Sequence, residues 1–304
     1  MRRGRSSVSS NKPCLEETEL KVLVTGATGN IGSAVAESLI ARGVPVRLVG
    51  TRPGVIREKF PGAEVAKLDF FDPTTFELAI ADATALFLVR PPAIAQVRAT
   101  VNAFASTAVA RRVRHIVFAS VAGVERNRLI PHHRIETHLQ TLETGWTFLR
   151  PGFFSQNLAE AYQLDICEDD RLYLPAGAGR VAFIDTRDIG EAAANILASP
   201  AEHDGSSYHV TGPAAVDLSE VAMLLSQELQ RPIRYQPASV VGYMRHLLFR
   251  HRLPFPQALV QTVLHAGLRR GAAESVVPTL GELLGRPPRS LADFIHDYRA
   301  VWLR

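Results

Sequence analysis

Lysine, cysteine and long apolar runs are scarce in this chain. The two cysteines, Cys14 and Cys167, form neither a disulfide framework nor a metal-ligand spacing, so a reducing cytoplasm and no metal are expected. No apolar run approaches the length that spans a bilayer, so no membrane partner is expected. No tyrosine precedes Tyr162, and the 304 residues hold four lysines, all in the first quarter of the chain: Lys12, Lys21, Lys59 and Lys67.

Positive charge in excess of negative charge is confined to the start of the chain. The formal net charge of the chain is +4. Residues 1–12 contain no acidic side chain and four basic ones, which account for this charge: Arg2, Arg3, Arg5 and Lys12. The remainder is neutral, which argues against a nucleic-acid partner, because such binding needs a basic surface on the folded domain. No apolar segment follows these arginines, so no secretory signal is expected, and residues 1–19 are predicted to be a disordered extension.

The segment Lys21–Gly32, KVLVTGATGNIG, carries the clearest local pattern. The apolar run Val22–Val24 predicts a buried strand, a glycine turn follows, and apolar residues at helical spacing predict a helix over Ser33–Arg42. This order forms a pyrophosphate site, since the turn lets backbone approach phosphate and the helix N-terminus attracts an anion. The predicted cofactor contacts of the turn are Gly26, Thr28, Gly29, Asn30, Ile31 and Gly32.

Strands and helices alternate regularly as far as residue 150. This pattern predicts an α/β fold, a Rossmann-like doubly wound parallel sheet whose ligand lies at the carboxyl ends of the strands. We assign residues 20–150 to an NAD(P)-binding domain. Residues 151–304 are predicted to form a smaller mixed α/β C-terminal substrate lobe that partly completes the sheet. The predicted helices include Ala93–Ala110, Ser155–Cys167 and Asp188–Ala198, the last capped by Asp188.

The end of the second predicted strand bears on the choice of nicotinamide cofactor. NAD-selective folds place a carboxylate there to accept hydrogen bonds from the adenosine ribose, but the first acid after Gly50 is Glu58. Arg52 stands where its guanidinium group can meet a 2′-phosphate, although a solvated arginine is the alternative interpretation. The missing acid favours NADP(H) over NAD(H).

The interior of the glycine turn, in the form TGATGxxG, resembles the atypical branch of the short-chain dehydrogenase/reductase superfamily that includes the NmrA-like proteins. The segment His132–Asn157 is similar to the helix and the T-x-L-R-P-x-x-F-x-x-N signature of that branch, particularly its NADPH-dependent quinone reductases and azoreductases. The resemblance covers about residues 20–300, and it implies an NAD(P)-binding fold and reductase activity.

The resemblance also implies cofactor contacts at the ends of later strands. Asp69 and Phe70 would touch the adenine, although Asp69 is equally explained as a turn or cap residue. Phe153 and Phe154 would wall the nicotinamide and substrate pocket, with core packing as the alternative, and Asn157 would line the same pocket. The other implied cofactor contacts are Val89, Arg90, Pro91, Ser120, His132 and Pro151.

The sequence identifies the catalytic residues less clearly than the cofactor contacts. Most reductases of the superfamily use a Tyr-x-x-x-Lys pair, which the positions of tyrosine and lysine exclude here. The place where some NmrA-like members carry lysine falls on His132, which is therefore our candidate acid or base. His132 also fits a hydrogen bond to the nicotinamide ribose, or a plain capping or solvated role. Glu136, one helical turn on, can pair with His132 or with Arg150.

Two functions fit these observations. The first is an NADPH-dependent oxidoreductase that transfers hydride to a small aromatic, quinone-like or other activated electrophile, because such acceptors need no dedicated protein acid. The second is a non-catalytic NADP(H)-sensing regulator that acts through a protein partner. A nucleotide-sugar epimerase is disfavoured by the missing tyrosine. We expect a small-molecule substrate and a monomer or homodimer.

Overall fold

The computed structural model describes residues 20–303, so the predicted extension over residues 1–19 lies outside the described part of the chain. Six parallel strands come first and form most of the central sheet. They are β1 (Val22–Thr25), β2 (Val46–Gly50), β3 (Glu64–Lys67), β4 (Ala85–Val89), β5 (His115–Ala119) and β6 (Gly145–Pro151).

Six more strands follow in the second half of the described chain. They are β7 (Phe153–Phe154), β8 (Arg171–Leu174), β9 (Arg180–Ile184), β10 (Ser206–Val210), β11 (Ala215–Asp217) and β12 (Arg234–Pro237). Strand β10 pairs in parallel with β6 and extends the central sheet to seven strands. The other five form a three-stranded sheet, β11-β9-β7, and a two-stranded sheet, β12-β8.

The order of the central sheet is β10-β6-β5-β4-β1-β2-β3, which confirms the predicted Rossmann-like doubly wound fold. All four residues of β1 are buried, as expected for a parallel strand covered by helices on both faces. The strand order reverses between β1 and β4. At such a reversal the following loops diverge, so a crevice opens beyond the carboxyl ends of these two strands.

Twelve α-helices cover the sheets of the described chain. They are α1 (Asn30–Ala41), α2 (Pro53–Lys59), α3 (Phe76–Ile80), α4 (Ala103–Ala110), α5 (Pro131–Leu139), α6 (Gln163–Asp169), α7 (Thr186–Ala198), α8 (Leu218–Leu229), α9 (Val240–Phe249), α10 (Phe255–Leu268), α11 (Thr279–Leu284) and α12 (Leu291–Tyr298). Within residues 20–303, no helix combines the length and the apolar character that crossing a membrane requires.

Two of the predicted helices are divided in the structure. The segment predicted over Ala93–Ala110 holds a π-helical turn at Arg98–Asn102 before α4. The segment predicted over Ser155–Cys167 holds a 3₁₀ turn, Ser155–Leu158, before α6. Hydrophobic spacing does not separate an α-helix from short stretches of tighter or wider helix, whose periods are similar.

The predicted cap of α7 was wrong. The helix begins at Thr186, and its cap is Asp185, whose carboxylate accepts the Arg187 backbone N–H at 2.9 Å. Asp188 lies in the first turn, is fully buried, and accepts a hydrogen bond from Arg286 at 2.8 Å as well as one from Arg289. Both arginines are far away in sequence, so the sequence offers only an acid near a helix start, where either role is possible.

Three hydrophobic cores hold these layers together. One lies under α1 and α7 on one face of the central sheet, and the second lies under α3, α4 and α5 on the other face. The third surrounds Leu172, Phe294 and Trp302 in the second half of the chain. The sheet is thus covered on both faces, and the loops at its carboxyl edge are left to form a site.

Candidate active site

The turn after β1 is tightly built from glycine. Gly26 has φ of +69°, a conformation that L side chains rarely adopt, and its carbonyl oxygen accepts the Gly29 N–H at 2.9 Å. A Cβ atom on Gly32 would overlap the Gly26 carbonyl group and would lie 2.8 Å from the Thr25 carbonyl oxygen. The spacing of these glycines therefore lets α1 begin directly against the end of β1.

The N-terminus of α1 is open to a ligand. Gly29 is the N-cap residue and has no side chain to accept the first helical N–H groups, and Thr28 and Gly29 are both exposed. Uncapped N–H groups at the positive end of a helix dipole attract anions. The Asn30 side chain is already engaged, because its amide donates to Glu160 at 3.0 Å. Its predicted contact with cofactor would require that bond to be shared or exchanged.

Thr25 joins the ends of the two strands that flank the crevice. Its hydroxyl accepts the backbone N–H of Val89 at 2.7 Å and donates to the Phe87 carbonyl oxygen at 3.2 Å. The glycine turn lies against the same place, since a Cβ on Gly26 would be 3.2 Å from the Val89 Cβ. Val89 is only partly buried, so β4 ends at the edge of the predicted site.

Arg52 and Asp69 follow β2 and β3 at the same edge of the sheet. Arg52 is exposed and makes no ion pair with any residue between 20 and 303, so its guanidinium group is available to an anion. The Asp69 carboxylate accepts the Phe71 N–H at 2.9 Å, which is the turn role that the sequence left open. The Phe70 ring is buried edge-on against Phe104, with ring centroids 5.4 Å apart, so its side chain belongs to the core.

Ser120, directly after β5, carries an unsatisfied polar group. The residue is 3% exposed, its backbone N–H donates to the Leu149 carbonyl oxygen at 2.8 Å, and its hydroxyl has no hydrogen-bond partner in the structure. A buried hydroxyl without a partner costs free energy unless a ligand or a water molecule supplies one. Together with the glycine cradle, Ser120 shows that the residues present fit a dinucleotide along this edge.

Arg90 and His132 meet beside that edge. The Arg90 Nε atom lies 3.4 Å from His132 Nε2, and the Arg90 Nη1 donates to the carbonyl oxygens of Pro91, Pro92 and Ile94. Arginine only donates hydrogen bonds, so His132 Nε2 accepts and the ring proton is assigned to Nδ1. This contact places the loop after β4 against the first turn of α5.

His132 is electrically neutral in this position. Burial lowers the pKa of His132 to about 4, with a further contribution from the positive charge of Arg90. The pKa of His132 is therefore well below that of a free imidazole, which is near 6.5. At pH 7 the ring lacks the extra proton that a general acid would donate, and it offers one N–H donor.

The sequence left His132 and Arg150 as alternative partners of Glu136, and the structure shows an ion pair with Arg150. The Glu136 Oε1 and Oε2 atoms lie 3.0 and 2.7 Å from the Arg150 Nε and Nη2 atoms, a bidentate arrangement. The hydrogen bonds that Arg150 donates to Glu136 raise the pKa of Arg150. The pair joins α5 to β6 and so fixes the helix that carries His132.

The segment after β6 turns towards the second half of the chain. Pro151 is buried and its carbonyl oxygen accepts the Ala122 N–H at 3.1 Å, while the backbone of Asn157 accepts the Tyr162 N–H at 3.0 Å. The Phe153 ring packs edge-on against Phe183, at 5.5 Å between centroids. Phe153 and Phe154 are both only partly buried, so each contributes to a core and keeps an accessible part.

A buried polar cluster next to Phe153 was missed from the sequence. The Tyr162 hydroxyl and the His265 Nε2 atom form a hydrogen bond, and the His265 ring lies 5.7 Å from Phe153 and 5.4 Å from Tyr243. Burial lowers the pKa of His265 to about 4 and raises the pKa of Tyr243. More than a hundred residues separate Tyr162 from His265, and no local pattern connects them.

The sheet order, the glycine turn and the uncapped helix together define a Rossmann-type dinucleotide-binding protein. Comparison with known families agrees with this class of protein and identifies one family within it. The chain belongs to the NmrA-like family, whose model matches residues 18–271. The resemblance drawn from the turn and from His132–Asn157 is thereby confirmed.

Individual relatives match nearly the whole chain. An NAD(P)H azoreductase of Xenophilus azovorans is 33% identical over 288 residues, which is 92% of this chain and 99% of the relative. A (4-alkanoyl-5-oxo-2,5-dihydrofuran-3-yl)methyl phosphate reductase of Streptomyces griseus is 32% identical, over 91% of this chain and 97% of the relative. Among solved structures, the NADPH complex of an NADPH-dependent quinone oxidoreductase from Escherichia coli has a TM-score of 0.80 and 25% identity, and covers 91% of this chain and 99% of that one.

Proposed function

We propose that this chain is an NADPH-dependent reductase that transfers hydride to a small aromatic, quinone-like or other activated electrophile. The broader part of this assignment, an NAD(P)H-dependent reductase, is confirmed by relatives of similar length that are named as reductases. The choice of NADPH and the class of acceptor are our own inferences from this chain.

The character of His132 carries the proposal for the acceptor. No tyrosine lies before Tyr162 and no lysine after Lys67, and His132, which contacts Arg90 directly after β4, has a pKa of about 4. A simple ketone would leave an alkoxide that needs a proton from an acid with a pKa nearer neutrality. Quinones, azo compounds and iminium ions give products that water can protonate, so they fit the groups that this site offers.

The preference for NADPH is supported by the charges after β2. Arg52 is exposed and without an ion-pair partner between residues 20 and 303, and no carboxylate occurs between Gly50 and Arg57. A guanidinium group forms short, strong hydrogen bonds with phosphate. The ribose 2′-hydroxyl of NADH has no acidic side chain here to accept its hydrogen bond, so NADH would bind more weakly than NADPH.

The residues of the chain would act by binding and orientation. When bound, the dinucleotide would supply the hydride. The backbone around Gly26, Gly29 and Gly32 would hold its phosphates, and Ser120 would offer its unsatisfied hydroxyl as a hydrogen-bond partner. His132 would donate through Nδ1 to a cofactor or substrate oxygen, while Arg90 keeps that ring in place.

The accessible parts of Phe153 and Phe154 would supply apolar contacts for a flat acceptor. Aromatic walls of this kind bind planar rings through apolar burial and offset stacking. This assignment makes the segment after β6 part of the substrate pocket, as the predicted substrate lobe over residues 151–304 requires. Asn157 is proposed to add a polar contact there.

Turnover assays with purified protein test the proposal. NADPH consumption is measured with a quinone, an azo dye and a simple ketone, each against a reaction without protein. We expect quinone- or azo-dependent oxidation, no reaction with the ketone, and a lower KM for NADPH than for NADH. Tight NADP(H) binding without oxidation by any acceptor would instead favour the sensing regulator.

A further inference from the structure

A second cluster of reactive side chains lies outside the crevice, where α6 meets the end of α9. The Asp165 Oδ2 atom lies 3.0 Å from His246 Nε2 and 3.2 Å from His251 Nε2. The two Nε2 atoms are 3.2 Å from each other. Three potential ligand atoms therefore converge on one point.

Helix α9 and the turn after it bring the two histidines together. His246 lies in the last turn of α9, and its carbonyl oxygen accepts the N–H groups of Arg250 at 2.8 Å and of His251 at 3.2 Å. Arg252 then adopts φ of +55° and reverses the chain. These bonds return the His251 ring to within 4.9 Å of the His246 ring, measured between centroids.

Hydrogen bonding alone does not satisfy this triangle. If each histidine carries its proton on Nε2, both can donate to Asp165, but two N–H donors then face each other at 3.2 Å. If one Nε2 is unprotonated, its lone pair faces the carboxylate instead. Every arrangement of neutral rings leaves one unfavourable edge, whereas a cation between the three atoms makes all three contacts favourable.

The dimensions fit a tetrahedral transition-metal ion. Zinc bonds of about 2.0–2.1 Å to imidazole nitrogen and carboxylate oxygen place neighbouring ligand atoms about 3.3 Å apart. The observed separations are 3.0, 3.2 and 3.2 Å, so small side-chain rotations suffice.

The surroundings suit a bound cation. The Asp165, His246 and His251 side chains are 3, 9 and 13% exposed, so competing water is limited while an entry path remains. Glu168 and Asp169 follow on the same helix and add negative charge, of which Arg250 neutralises part. Tyr173 packs on the His246 ring at 4.9 Å between centroids and restrains its orientation.

We propose that Asp165, His246 and His251 form a zinc-class metal site that ties α6 to the end of α9. Two imidazoles and one carboxylate favour Zn²⁺ over Mg²⁺ or Ca²⁺, which prefer oxygen ligands. Three protein ligands leave a fourth position for water. The prediction of no metal rested on sequence spacing, and Asp165 is 81 residues from His246, so spacing does not reveal this set.

Metal titration of tag-free, chelator-treated protein tests this site. Zn²⁺ binding is measured in competition with a chromophoric chelator, and Co²⁺ is used as a spectroscopic probe of tetrahedral geometry. We expect one Zn²⁺ per chain, visible d–d absorption of bound Co²⁺, and a rise in Tm on metal addition. The variants His246→Gln and His251→Gln should each weaken Zn²⁺ binding more than about 100-fold, which exceeds the loss caused by removing a hydrogen-bond partner of a ligand.

His296→Gln is the matched control, because His296 pairs with Glu228 at 3.0 Å without a third ligand. This variant should bind Zn²⁺ as the unaltered protein does, and all variants should still bind NADPH. Equal Zn²⁺ affinity in the unaltered protein and in the His246→Gln variant would overturn the proposal. If a variant fails to fold, the Co²⁺ spectrum of the unaltered protein tests the proposal instead. Absence of tetrahedral Co²⁺ absorption in that protein would also overturn the proposal.

Discussion

Gly32 lies so close to Gly26 that a Cβ atom on Gly32 would overlap the Gly26 carbonyl group. The contact brings the start of α1 against the end of β1 and aims the uncapped N–H groups of the helix at the crevice. It is the most restrictive backbone feature of the proposed site. Any side chain at position 32 must push the helix away from the turn.

The first prediction follows from that contact. Gly32→Ala should lower the free energy of unfolding by about 1–3 kcal/mol, the usual range for overpacking, and should weaken NADPH binding. Gly54→Ala is the control, because no atom lies within 4 Å of the added Cβ and the position is helical. That control should be neutral or slightly stabilising. Calorimetric NADPH titration compares the two, and equal affinities would contradict the assigned phosphate site.

The second prediction concerns the exposed guanidinium group after β2. Arg52→Ala should weaken NADPH binding about 10- to 100-fold, the equivalent of losing charged hydrogen bonds, and should leave NADH binding unchanged. Arg57→Ala, which removes an exposed arginine from α2 shortly after Arg52, serves as the control. A loss of NADH affinity as large as that of NADPH would show that Arg52 does not read the 2′-phosphate.

The third prediction concerns the pH dependence of turnover. Because the pKa of His132 is about 4, the ring stays neutral from pH 5.5 upward, and kcat/KM should show no inflection near pH 6.5 from this residue. His132→Gln keeps a hydrogen-bond donor and should preserve the shape of the profile. An inflection near neutrality that disappears in the variant would restore His132 as a titrating catalyst.

The fourth prediction tests the ion pair that fixes α5. Glu136→Gln should lower the free energy of unfolding by about 2–3 kcal/mol, below the usual range for a fully buried pair because the Arg150 side chain is 20% exposed. Glu125→Gln is the control, since Glu125 is 49% exposed and lies 3.8 Å from Arg150. It should change stability by less than about 0.5 kcal/mol. Denaturant unfolding measures the free energy of unfolding of both variants. Similar decreases in the two variants would contradict the role assigned to the Glu136–Arg150 ion pair.

The fifth prediction concerns acid stability. The pKa of His265 is about 4 in the folded chain and near 6.5 when unfolded, so the unfolded chain takes up the proton first. Stability conferred by neutral His265 is therefore complete above pH 6.5 and declines as pH falls towards 4. His265→Gln should reduce the slope of unfolding free energy against pH by up to about 1.4 kcal/mol per pH unit in that window. An unchanged slope would show that folding does not lower the pKa of His265.

The parts of the fold that depend on local pattern could be predicted. Alternating strands and helices with a glycine turn after the first strand predict a doubly wound parallel sheet, because right-handed crossovers leave few alternatives. The glycine turn at residues 26–32 was located in the same way. The cap of α7 was misplaced by three residues, since Asp185 and Asp188 are both acids near a helix start.

Features that depend on distant partners could not be predicted. The bond between Asn30 and Glu160 spans 130 residues, and the Tyr162–His265 contact spans 103. The low pKa of His132 arises from burial and from Arg90, neither of which a sequence motif records. The protonation state of His132 therefore depends on residues that are distant in sequence. The glycine turn that would bind the cofactor depends instead on local backbone conformation.

The most direct test of the central claim is a single-turnover reaction with NADPH deuterated at the transferable positions of the nicotinamide C4 atom. Purified protein is mixed with a quinone and with either labelled or unlabelled NADPH, and loss of the reduced cofactor is followed by absorbance. We predict oxidation above the protein-free rate that is slower with deuterium. Stoichiometric binding of NADPH without quinone-dependent oxidation, for either isotope, would contradict the account.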